Sequence, residues 1–142
     1  MQTLNRKQKR STQKISTKYF HSKIVLMFLQ MLNTIKLYHW KTKSFAEHKA
    51  TDELYTNINK NIDLFIEIML GKTKGRISLK KTSILLSDCS STAGIVREIE
   101  KYIHFLNDMN NDLKLNINSD LLAIRDELLG NLNQFMYLLT FK

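Results

Sequence analysis

A chain of 142 residues, 43% hydrophobic and 25% charged, fits one globular domain that can bury its own core without disulfides or a structural metal. No proline and only four glycines exclude a turn-rich β-sandwich and permit long helices, and the lone cysteine, Cys89, excludes a disulfide framework and suits a reducing compartment. No apolar run approaches the roughly 18 residues of a membrane span, so no membrane partner is expected, and the net charge of +9 turns attention to polyanions.

The charge opens the chain. Arg6, Lys7, Lys9, Arg10, Lys14, Lys18 and Lys23 supply +7 within 23 residues that contain no acid, leaving +2 for the remainder. Leu4 and Ile15 are too sparse to make an apolar face, so residues 1–22 are expected to form a mobile basic arm. Such an arm suits non-specific DNA, because each phosphate it neutralises releases counterions. Arg6, Lys7, Lys9, Arg10, Lys14 and Lys18 are the candidate nucleic-acid contacts, and a merely solubilising terminus is the alternative.

From residue 23 onward the periodicity is helical. Ile24, Phe28, Met31, Ile35 and Tyr38 form one face of a helix over about 22–42. Ser44 and Glu47 make a capping box for a second helix. Its stripe of Leu54, Ile58, Ile62, Phe65 and Met69 runs to Gly71, a suitable left-handed terminus. Residues 71–90 combine two glycines, several lysines and short β-branched runs, and read as a long connection. A third helix starts at Ser90 or Ser91, with Ile95, Ile99, Tyr102, Ile103 and Leu106 on one side. A fourth starts at Asn118 or Ser119 and carries Leu121, Ile124, Leu128, Leu132, Phe135 and Leu139. Short, long, short connections between four helices describe an all-α, ferritin-like four-helix bundle with a long middle crossover, spanning 23–142.

Familiar catalytic motifs are absent. The glycines at 71 and 75 lack the spacing of a phosphate-binding loop, and neither CxxC nor HExxH occurs. The chemistry-bearing residues that remain are His39, His48, Asp63 and Glu67. Asp63 and Glu67 are neighbours on one face of the second helix, among Ile62, Phe65, Ile66 and Met69, where burial without a cation would be costly. His39 and His48 flank the turn between the first two helices. Fifteen residues separate His48 from Asp63, about 22 Å along a helix axis. One chain therefore cannot gather all four groups around one ion, and a shared site needs two copies about a two-fold axis. A solvated carboxylate pair and a packed turn histidine are the plainer readings of the same residues. His21 and His104 read as structural or exposed. Asp126 and Glu127 read as solvated or paired with Arg125 and Lys101, and Cys89 lacks an activating partner.

Tyr38-His39-Trp40, Ala46-Glu47-His48-Lys49, Leu54-Tyr55 and Asp63-x-x-x-Glu67 together resemble the core signature of the Dps family, the mini-ferritins that protect DNA during starvation. The spacings His48 to Asp63 and Asp63 to Glu67 match that pattern, whereas His39 and His48 are nine apart where the family has a longer turn. The resemblance implies that His39 and His48 of one subunit and Asp63 and Glu67 of its two-fold mate bind iron, with zinc as a surrogate. It implies oxidation of Fe(II), storage in a hollow shell, DNA as partner of the arm, and a cytoplasmic or nucleoid-associated location. The stretch from Lys41 to Tyr55 is also similar to an uncharacterised family of short proteins of phages and large DNA viruses, which would place the chain in a virion or viral factory. The rival reading is a non-enzymatic structural or DNA-packaging bundle of the same fold.

Overall fold

The computed structural model describes the backbone of residues 2–141 and the side chains of residues 18–141. Four helices, α1 (Gln2–Lys41), α2 (Phe45–Thr73), α3 (Thr92–Asp112) and α4 (Leu115–Leu138), carry the chain, and no strand occurs among the described residues. The apolar stripes read from the sequence form one core. Ile24, Phe28, Met31, Ile35 and Tyr38 of α1 meet Leu54, Ile58, Ile62, Phe65 and Met69 of α2. Ile95, Ile99, Tyr102 and Leu106 of α3, with Leu121, Ile124, Leu128, Leu132 and Phe135 of α4, close it. The Phe28 and Phe65 rings meet edge to face at 5.3 Å, the geometry their quadrupoles favour.

Helix α1 begins at Gln2, well before the expected start near Ser22, and residues 2–21 continue the helix where the sequence suggested an irregular arm. No glycine or proline occurs in the first 41 residues, so nothing stops a helix nucleated by the packed half from propagating backward. The side chains of Arg6, Lys7, Lys9, Arg10 and Lys14 lie outside the described residues, while Lys18 is exposed.

Other boundaries shift for local reasons. Helix α2 runs through Gly71 to Thr73, and Lys74, not the glycine, takes the left-handed conformation at φ 52°. Its N–H returns to the Leu70 carbonyl. Helix α3 opens on Ser91, whose Oγ accepts from the Gly94 N–H at 3.1 Å. Helix α4 starts before the expected cap, but Asn118 breaks its helical backbone (φ −131°, ψ 27°). The signal at 118–119 therefore marks a kink after one preliminary turn.

Polar contacts orient the helices. Lys72, at the end of α2, donates to Asp120 at 2.9 Å and to the Ile117 carbonyl at 2.7 Å, so α4 starts at the end where α2 stops. Asn61 and Asn131 meet midway along that pair at 3.1 Å. Residues 74–91 contain no helix or strand and carry the chain back to the α1–α2 turn. There Asp88 pairs with Lys41, and Thr92 donates to Glu47 at 2.6 Å. Helices α1 and α4 thus run one way, α2 and α3 the other. Helix α1 packs against α2 and α3, and α4 packs against the same two. Two parallel helices placed diagonally cannot be joined by a tight turn, which is why the middle connection is long.

Candidate metal centre at the helical hairpin

Residues 42–44 join α1 to α2, and Ser44 caps the second helix by accepting from the Glu47 N–H at 3.3 Å. The reciprocal half of the expected capping box does not form. Thr42 Oγ1 takes the Ser44 N–H at 3.2 Å, and the Glu47 carboxylate turns inward. Its Oε2 accepts from the hydroxyls of Tyr38 and Thr42, and its Oε1 from Thr92, each at 2.6 Å. Burial alone would raise the Glu47 pKa, but these hydroxyls, which solvate the charged form, outweigh it and hold the carboxyl below its ordinary range. Burial and the Glu47 carboxylate push the Tyr38 phenol up to about 12.

This anchored turn brings His39 and His48 together. Their rings stack with centroids 3.9 Å apart and planes 23° from parallel. His39 Nδ1 lies 3.1 Å from the His48 carbonyl oxygen, and His48 Nδ1 lies 3.1 Å from the His39 carbonyl oxygen. A carbonyl only accepts, so each ring carries a proton on Nδ1, and in the neutral form of the ring Nε2 is then the atom whose lone pair can meet a metal. Thr51 Oγ1 shares the His39 proton at 3.1 Å and donates in turn to the Glu47 carbonyl at 2.8 Å. His39 is 8% exposed, and no buried side-chain nitrogen lacks a partner among the described residues, so its Nε2 borders solvent. A backbone carbonyl on the remote nitrogen is how proteins usually fix the orientation of a ligating imidazole.

Asp63 and Glu67 are placed elsewhere. Both are exposed on the outward side of α2, while Ile62, Phe65 and Met69 face the core. The expectation that two carboxylates sit among apolar neighbours and need a cation is therefore corrected for the single chain, because successive helical positions are 100° apart and the stripe occupies one side only. Among the described residues no three His, Cys, Asp or Glu side chains converge. Within the chain the two histidines come together, while Asp63 stays about 22 Å and Glu67 about 28 Å from His48 along the continuous α2 helix.

Other candidates resolve simply. His104 does have an acid at helical spacing, Asp108 at 3.5 Å, both exposed. Asp126 pairs with the adjacent Arg125 at 2.7 Å, but Lys101 pairs with Glu98. Cys89 is buried, and burial followed by the nearby Glu98 charge raises its thiol pKa, the opposite of activation. Sequence reasoning missed Thr51 and Thr92. Thr51 lies in phase with the buried stripe of α2, which is the one available signal for a threonine that serves a polar site. Among the described residues, no helix is long and apolar enough to cross a membrane.

Residues 39–139 match a protein family described as a family of unknown function (DUF5856). The match begins at His39, encloses His48, Asp63 and Glu67, and leaves out the basic segment. No curated protein and no solved structure matches the chain.

Proposed function

The chain belongs to DUF5856, a family of unknown function, and from the geometry of its hairpin we propose that it is a Dps-like, ferritin-fold protein that binds iron between two copies. The observation that carries this reading is the reciprocal histidine pair, in which each Nδ1 lies 3.1 Å from the other residue's carbonyl oxygen and neither Nε2 is engaged by another side chain among the described residues. His39 and His48 of one copy would supply nitrogen ligands, and the exposed carboxylates of Asp63 and Glu67 would come from the other. Imidazole with carboxylate is a donor set suited to Fe(II) and Zn(II). Iron is the substrate here: two ferrous ions each lose one electron to hydrogen peroxide, whose O–O bond breaks and takes up two protons to leave water.

Several features support a second copy on this side of the molecule. Trp40 is 69% exposed and Phe45 75% exposed beside the turn, an apolar fringe that a monomer leaves wet. Along α2 the sequence places Lys49 and Asp52 before Thr56, and Lys60 and Asp63 after it. A two-fold axis near Thr56 would set Lys49 opposite Asp63 and Asp52 opposite Lys60, and bring each His48 toward the other chain's carboxylates. The basic N-terminal segment, Arg6 to Lys18, is proposed to contact DNA phosphates without regard to sequence.

Subunit mixing tests the shared site. A His39→Ala/His48→Ala chain and an Asp63→Ala/Glu67→Ala chain should each lose tight Fe(II) or Zn(II) binding by calorimetry. Mixed in equal amounts, they should recover it at one intact site per heterodimer. Unchanged affinity in either double variant, or no recovery on mixing, would favour the non-enzymatic structural rival.

A further inference from the structure

The crossover between α2 and α3 is both basic and apolar where it meets solvent. Ile77 packs against the core, but every residue from Lys80 to Leu86 is exposed. Leu85 is 81% exposed, more than any other large apolar side chain among the described residues, and the exposed Ile84 and Leu86 flank it. Residues 68–87 hold five basic residues and no acid. Lys72 is taken by Asp120, whereas Lys74, Arg76, Lys80 and Lys81 form no ion pair among the described residues. The end of the segment lies against α1 and α3, where Asp88 pairs with Lys41 and Ser87 bonds the Glu98 carboxylate. The α2 face proposed to meet a second copy lies elsewhere. Lys49, Thr56 and Asp63 sit on the side of α2 opposite its core stripe, and α2 is not a neighbour of α3.

We propose that this segment seats the protein on an anionic bilayer surface, with Ile84, Leu85 and Leu86 among the upper acyl chains and Lys74, Arg76, Lys80 and Lys81 at the lipid headgroups. No helix among the described residues is long and apolar enough to cross a bilayer, but a seat on its surface asks for less. A short apolar insertion is weak alone, and so is a small basic cluster, whereas the two together hold. Lysine suits the collar of such a tip, because its stem lies along apolar surface while its ammonium stays in water. Charge and shape select this occupant over others. A DNA duplex would take the cations and leave three aliphatic side chains wet. A rigid protein pocket accepts only some of the side chains that diverge along an irregular chain, whereas a fluid interface yields around all three. The inference does not rest on the iron reading, since His39, His48, Asp63 and Glu67 all lie outside the segment.

Single-indole fluorescence on the full chain tests it. In a Trp40→Phe/Leu85→Trp variant, vesicles of phosphatidylserine and phosphatidylcholine in equal parts should shift the indole emission to the blue. Brominated acyl chains in those vesicles should quench it, and pure phosphatidylcholine should leave it unchanged. In the otherwise native chain, Leu85→Ser, which alters no charge, should weaken co-sedimentation with the mixed vesicles about tenfold. Lys80→Glu/Lys81→Glu should weaken it about a hundredfold. The basic N-terminal segment also attracts anionic lipid, so bound protein whose indole stays unquenched would assign the contact to that segment and overturn the proposal. A blue shift that grows with protein concentration in the absence of vesicles would show that another copy covers Leu85, and overturns it as well. So does unchanged vesicle affinity in either crossover variant; if duplex affinity falls there instead, the lysines serve DNA. Adding His39→Ala/His48→Ala to the indole variant should leave its vesicle response as it was, which separates this result from the fate of the iron site.

Discussion

Thr92, the first residue of α3, donates its hydroxyl to Glu47 Oε1 at 2.6 Å across 45 residues of chain. With Tyr38 from α1 and Thr42 from the turn on the other oxygen, one carboxylate ties together α1, the turn, α2 and the start of α3. The end of the long crossover is thereby fixed against the hairpin that presents His39 and His48.

That arrangement predicts an acid-sensitive fold. The folded pKa of Glu47 lies below its ordinary 4.5, so the stabilisation is fully present above 4.5 and is lost as the pH falls through the lower folded value. Glu47→Gln, similar in shape but uncharged, should lower stability by about 1–2 kcal/mol near neutral pH and flatten the acid limb. Urea unfolding across the acidic range checks both effects; acid limbs of equal slope in the two proteins would show that Glu47 is not the sensor.

A second prediction concerns the buried bond from Tyr102 Oη to Thr34 Oγ1 at 2.9 Å, which joins α3 to α1. Both residues are buried, and burial pushes the Tyr102 phenol up to about 12. Thr34→Val strips the acceptor from a buried donor and should cost about 1–3 kcal/mol. Adding Tyr102→Phe removes the orphaned hydroxyl, so the double variant should be no less stable than Thr34→Val alone. A double variant whose losses simply add would rule out the coupling.

The third prediction separates the basic segment from the bundle. Deleting residues 1–18 removes six of the seven positive charges in the first 23 residues and should abolish measurable DNA affinity while leaving metal binding intact. For the intact chain, log affinity should fall with log salt at a slope up to about −6 for seven phosphate contacts on duplex DNA. Different duplex sequences should bind alike. Retained affinity in the truncated chain would assign the contact to another surface.

The fold was largely legible because helical periodicity is a local property. The stripes from Ile24 to Tyr38 and from Leu54 to Met69 could be read at 3.6-residue spacing, and both are buried. Boundaries were less legible. Gly71 looked like a terminus, yet two more residues continue the helix before Lys74 turns left-handed. Either residue could have ended α2, and packing at the α4 end, where Lys72 reaches Asp120, selects the longer helix. Glu47 obeyed its position rule only in part. A capping carboxylate can bond its own helix start or any hydroxyl nearby, and nothing local announced that Thr92 would arrive.

By itself, the sequence determined four amphipathic helices, a long middle connection and the impossibility of gathering His48 and Asp63 in one chain, since each follows from spacing along the chain. Only the tertiary structure decided that His39 and His48 stack, that each Nδ1 is held by the other's carbonyl, and that Asp63 and Glu67 face outward. Those facts depend on the rotation of one helix against another about the turn. That rotation is set by the whole buried face rather than by any residue's neighbours in the chain, so no reading of local spacing could supply it.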